Sequence, residues 1–112
     1  MRILEGELHT HLRQIALDRA PLEAVGLILP DDDIIELPNR SDEPEDQFVA
    51  SRNDIIEALS DIKGIDLENV VLFHTHPGGG VGPSKIDMRN KTPFQYHLVV
   101  TVVDGDVVYS WY

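Results

Sequence analysis

The 112-residue sequence predicts a single α+β domain: a mixed sheet packed with helices and finished by a C-terminal β-hairpin. Three observations predict it. Leu4, Leu8, Leu12 and Ile15 recur at the spacing of one helix face. Two short apolar runs, Ala24–Leu29 and Val70–Phe73, have the length and composition of buried strands. Asp104-Gly105 separates the runs 96–103 and 106–112 by the two residues of a tight hairpin turn. A chain of this size can bury roughly two-thirds of its unfolded surface, enough for a core without metal or disulfide staples.

Taken in order, the first helix is expected over roughly 5–19 and is stopped by Pro21. The apolar run from Ala24 to Leu29 follows as a strand, Asp31-Asp32-Asp33 as a turn, and Ile34 to Leu37 as a returning strand. Pro38 to Asp46 is acidic and proline-containing and reads as a surface loop. Gln47 to Ala50 reads as a short edge strand. Ser51 followed by Asp54 is a capping signature for a second helix, with Ile55, Leu59 and Ile62 on its buried stripe and Ile56 beside it. Lys63 would complement its dipole and Gly64 would stand at C′. A strand from Asn69 to Phe73 runs into His74-Thr75-His76-Pro77, then a glycine-rich loop, then a short helix over Ser84 to Lys91.

Composition narrows the function. There is no cysteine, which excludes thiolate zinc sites, thiol nucleophiles and disulfides. The net charge of −11 argues against a nucleic-acid partner. No apolar run approaches the ~20 residues of a membrane span, and the first residues lack the apolar stretch of a secretory signal, so a cytoplasmic protein is expected. The acidity is uneven. Residues 1–68 hold 17 acids against six bases, residues 69–112 three against three, and 31–46 alone eight acids against Arg40.

The chemistry-bearing residues lie elsewhere. Alternate residues of a strand share a face, so His74 and His76 would project together at a strand end and could share one metal. The plainer reading makes them polar rim residues. Ser84 and Asp87 form a helix capping box, but the same geometry would let Asp87 reach a metal held by the histidines. Two His and one carboxylate are the ligand set of a catalytic zinc, with one position open to water. Glu23, a lone acid between Pro21 and an apolar strand, is a candidate base, although most such acids are simply solvated.

Together these residues read Glu23, fifty intervening residues, His74-Thr75-His76-Pro77, six residues, Ser84, two residues, Asp87. The combination resembles the JAMM (MPN+) zinc metalloprotease signature, an upstream Glu, then His-x-His-Pro, a spacer, and Ser-x-x-Asp. The flanks are similar too, with Pro-x-Glu-x-x-Gly-Leu upstream and a Pro before Ser84. Val25 stands where many members carry Cys, and there is no room for the insertions that clamp ubiquitin in chain-cleaving relatives. Residues 83–88 and 97–100 look most like compact prokaryotic and tailed-phage members.

The resemblance implies one JAMM/MPN-like domain over residues 1–112, with one Zn2+ and its water held by His74, His76 and Asp87. It implies Glu23 as the base, Ser84 as a support for the tetrahedral oxyanion, and hydrolysis of a peptide or isopeptide bond. The substrate classes it admits are a ubiquitin-like or sulfur-carrier tail, a cell-wall peptide and a phage structural protein. A phage-encoded member would be virion-associated. The alternative from another class is a non-catalytic MPN-type scaffold or phage tail-assembly protein, and oligomeric state is not legible.

Other metal patterns fit poorly. His9-Thr10-His11 repeats the tripeptide inside a helix, where i and i+2 diverge by about 200°. His97 reads as an ordinary strand residue beside the motif. Neither His-Glu-x-x-His nor a phosphate loop occurs.

Overall fold

A computed structural model describes residues 4–89 and 94–112. Its elements are α1 (Gly6–Arg19), β1 (Val25–Ile28), β2 (Ile34–Leu37), α2 (Arg52–Ser60), a 3-10 turn (Leu67–Asn69), β3 (Val71–His76), α3 (Lys85–Arg89), β4 (Tyr96–Val103) and β5 (Asp106–Trp111). The strands form one mixed sheet in the order β2-β1-β3-β4-β5. Only β3 and β4 run parallel, and α3 lies in the connection between them. The expected α+β class, with a mixed sheet, helices and a terminal hairpin, is what the chain adopts. Asp104 (φ +52°) and Gly105 (φ +79°) make the hairpin turn in the left-handed region, as a two-residue primed turn requires.

Strand alternation sorts the core into two faces. Leu8, Leu12, Ile15 and Ala16 of α1 pack on Ile28, Val71, Phe73, Leu98 and Val100. On the other face, Val25, Leu27, Leu37 and Leu72 pack with Phe48 and are covered by Ile55, Ala58 and Leu59 of α2. Residues 72, 74 and 76 share a face on β3, so both histidines extend the row begun by Leu72 on the α2 side. The register sets which end of the sheet they occupy: Val25 lies opposite His74 and Leu37, while Ile28 lies opposite Val71 and Ile34. Gly26 permits this packing, since a Cβ there would stand 2.7 Å from the Ile35 carbonyl oxygen and from the Phe73 ring.

Several local expectations are corrected. Gln47–Ala50 is not a strand. Asn39 takes the place of a strand partner: its Oδ1 accepts from the Val49 N–H and its Nδ2 donates to the Gln47 carbonyl. The second helix ends at Ser60 with Asp61 as its cap, so Lys63 and Gly64 (φ +68°) lie beyond it, and Ile56 is exposed. β3 starts at Val71 because Asp66 caps the 3-10 turn that holds Asn69. The third helix is described over 85–89; its expected continuation through residues 90 and 91 lies outside the described residues. No helix among the described residues is long and apolar enough to cross a membrane.

Candidate metal centre

The C-terminal end of β3 carries the site. His74 is fully buried and His76 half-buried, with their Nε2 atoms 3.1 Å apart. Asp87, on the first turn of α3, brings its Oδ2 to 3.0 Å from His74 Nε2 and 3.1 Å from His76 Nε2. The capping reading of Ser84 and Asp87 holds, and the same geometry brings the Asp87 carboxylate to the two histidines. The Ser84 N–H donates to Asp87 Oδ2 (2.8 Å) and the Asp87 N–H donates to Ser84 Oγ (3.0 Å), a reciprocal capping box. The cap thus holds the carboxylate where the histidines converge. Ser84 itself is exposed at the rim.

Glu23 arrives from the segment just before the neighbouring strand β1. Thr75, which points away from the histidines, accepts the Ala24 N–H at its Oγ1 (2.8 Å), and the Thr75 N–H donates to the Ala24 carbonyl (2.9 Å). These two bonds dock the residue after Glu23 against the middle of His74-Thr75-His76. The Glu23 N–H donates to the Pro44 carbonyl and its own carbonyl accepts from Asn39, so the 38–46 loop closes over it. One ligand atom from each of Glu23, His74, His76 and Asp87 lies within 4.8 Å of all the others, and this four-residue group could hold a metal ion.

The donor set fits a small divalent cation. The His74, His76 and Asp87 atoms form a triangle with edges of 3.0–3.1 Å. Tetrahedral zinc with bonds near 2.0–2.1 Å separates its ligands by about 3.3 Å, a small relaxation away. His76 Nδ1 lies 2.8 Å from the Gly80 carbonyl, which can only accept; with the proton on Nδ1, the neutral ring offers a bare Nε2. Glu23 Oε1 is buried without a hydrogen-bond partner, the single such side-chain atom among the described residues.

Charge balance follows the same geometry. Burial raises the Glu23 carboxyl to about 7; the charge of His76 opposes this, and those of Asp87 and Asp46 add to it. Asp87 is held well below the usual carboxylate range: burial pushes it up, but its bonds to His74, His76 and the Ser84 N–H outweigh that. Burial lowers His74 despite Asp87 beside it. In His76 burial also lowers, but the bonds to Asp87 and Gly80 and the charge of Glu23 prevail and raise it.

Other side chains in the site carried no recognisable signal in the sequence. Phe48 stacks on the His74 ring (centroids 4.3 Å apart, planes 22° apart). Tyr112 Oη lies 3.4 Å from His74 Nδ1. Thr101 donates to the Gly80 carbonyl. All three are remote from the histidines in sequence, and only strand register and loop closure bring them near. His97 is buried against Tyr112 and outside the four-residue group, while His9 bonds Tyr109 and His11 is exposed.

Residues 5–112 match a family model described as prokaryotic homologs of the JAB domain. A solution structure of a protein from Salinibacter ruber (strain DSM 13855) has the same fold. It aligns over 96% of this chain and 78% of its own, with a TM-score of 0.54 and 18% sequence identity. None of the curated proteins matches.

Proposed function

The chain belongs to the family of prokaryotic JAB-domain homologs, and from that premise we propose that it is a zinc-dependent peptidase or isopeptidase of the JAMM type. The observation that carries this reading is the convergence of His74 Nε2, His76 Nε2 and Asp87 Oδ2 beside a buried, unpartnered Glu23 carboxylate. Bound there, zinc would supply a water of pKa lowered toward ~7 and a Lewis acid for the scissile carbonyl.

The chain's own residues then have distinct tasks. Asp87, His74 and His76 hold the ion, and the capping box and the Phe48 stack hold their rings and carboxylate in place. Glu23 takes a proton of the attacking water and passes it to the leaving amine nitrogen as the C–N bond breaks; the water's second proton also ends on that nitrogen, so amide and water become a carboxylate and an ammonium with no net proton gained or lost. Burial holds the Glu23 carboxyl above the ordinary carboxylate range, which strengthens it as a base beside the site. Ser84 Oγ already accepts from the Asp87 N–H, which leaves its own O–H to donate to the developing oxyanion from the rim. The substrate would be an extended peptide segment, such as the tail of a ubiquitin-like or sulfur-carrier protein, a cell-wall peptide or a phage structural protein.

Metal analysis of the purified protein, with hydrolysis of a peptide and isopeptide panel, tests this. The expected result is about one zinc per chain, and a Glu23→Gln variant that keeps the metal while losing turnover. Protein that takes up no metal, with a stable partner on pull-down, would instead favour the scaffold reading.

A further inference from the structure

The glycine-rich loop does more than span the distance from Pro77 to Ser84. Its Gly80 carbonyl accepts two hydrogen bonds, from His76 Nδ1 at 2.8 Å and from Thr101 Oγ1 at 2.9 Å. Thr101 is fully buried on β4, directly opposite His76 in the parallel register and on the same face of the sheet. Gly79, at φ +86°, turns the chain so that the next carbonyl faces inward; an L side chain is strained in that conformation. Nothing about this bridge is visible in the motif, since Thr101 follows His76 by 25 residues and is not one of the four converging residues.

We propose that Thr101 is a positioning residue for the metal centre: its hydroxyl pins the Gly80 carbonyl, and that carbonyl fixes both the tautomer and the rotation of His76. The physical reason is directional. Asp87 Oδ2 faces Nε2 and also accepts, so the two acceptors compete for the ring proton; a carbonyl held 2.8 Å from Nδ1 keeps the proton there and leaves the Nε2 lone pair free for a metal, and a carbonyl that drifts away yields it to Asp87. The loop carbonyl belongs to an exposed glycine and has no side chain of its own to lock it. The buried hydroxyl supplies that lock from the sheet. The same bond ties the rim of the cleft to β4, so the metal ligand and the rim are held by one contact.

This inference rests on the zinc reading for its consequence but not for its geometry, and the experiment separates the two. Thr101→Val preserves shape and β-branching and removes the donor, whereas Thr101→Ser keeps the donor. Nitrogen-15 NMR of the histidine rings in metal-free protein, at a pH where imidazole is neutral, reads the tautomer directly. The wild type and Thr101→Ser should show His76 protonated at Nδ1, and Thr101→Val should show a mixture of tautomers. Zinc affinity by chelator competition should fall about tenfold in Thr101→Val and recover in Thr101→Ser. Gly79→Ala, which displaces the carbonyl through backbone strain, should lower affinity in the same direction. An unchanged tautomer in Thr101→Val, or unchanged zinc affinity where the wild type binds zinc, would overturn the proposal. A wild type that binds no zinc but shows the tautomer shift in Thr101→Val would refute the peptidase reading and leave the positioning role standing.

Discussion

At Glu23, burial raises the carboxyl from its ordinary 4.5 to about 7. In metal-free protein a carboxyl raised on folding contributes stability that is full below the unfolded value and lost as pH rises through about 7. Metal-free Glu23→Gln should therefore be more stable than wild type at pH 8, by about 1–2 kcal/mol with allowance for hydration of the cleft, and the gap should close below pH 4. Urea denaturation at the two pH values checks this. The same variant should lose at least about 100-fold in peptide hydrolysis. Stability and activity moving in opposite directions is the signature of an acid placed for chemistry. Asp87 offers the complementary test. Asp87→Asn can still accept the Ser84 N–H and keep the cap of α3, but it removes the charge facing two imidazoles. Zinc affinity should drop about 100-fold or more with little change in the unfolding midpoint, as titration with a chelator would show.

At the scale of elements, the strands with strong patterning were readable: β2 as Ile34–Leu37, and the β4–β5 hairpin around Asp104-Gly105. Periodicity and turn chemistry are local, so sequence carries them. The segment after the acidic loop was not readable, because Asn39 supplies through a side chain the bonds a strand would have supplied. Phe48 in that segment is buried by packing into the α2-side core and against the His74 ring, and belongs to no strand. Gly26 shows how closely the elements fit. Gly26→Ala would press a methyl group against the Ile35 carbonyl and the Phe73 ring, and should cost about 2–3 kcal/mol, measurable as a lowered denaturation midpoint. Because Gly26 is one residue beyond Val25, opposite His74, that variant should also weaken metal binding.

Across the whole molecule, the structure divides the acidic stretch that the sequence presents as one block. Asp31, Asp32 and Asp33 turn the chain at the Ile28 end of β1, the end opposite the histidines. Asp42, Glu43, Glu45 and Asp46 lie on the loop that closes over Glu23, and the charge of Asp46 helps to raise its carboxyl. Replacing all three of Asp31–Asp33 by Asn should leave the pH profile of hydrolysis unchanged. Asp46→Asn should shift its acidic limb to lower pH by a few tenths of a unit, more at low salt. A metal bound by the four-residue group should also act on the entire fold, since that group draws on β3, α3 and the segment just before β1. Zinc at 100 times its Kd should raise stability by about 2.7 kcal/mol, seen as a higher thermal midpoint that His76→Ala abolishes.

The sequence by itself determined the α+β class, most of the elements, and the identity of the converging group: His74 and His76 at strand spacing, Asp87 on a capped turn, and Glu23 before an apolar strand. The elements and the spacing of His74, His76 and Asp87 are local features, written within a few residues of one another; that Glu23 joins them, fifty residues upstream, is what the family resemblance implied. Tertiary structure alone decided that Glu23 lies beside the histidines, because that depends on antiparallel pairing of β1 with β3 across fifty residues. It also decided that Phe48 stacks on His74 and that Thr101 holds the carbonyl that orients His76. Each of these contacts is set by register or loop closure, which no residue's own preference encodes.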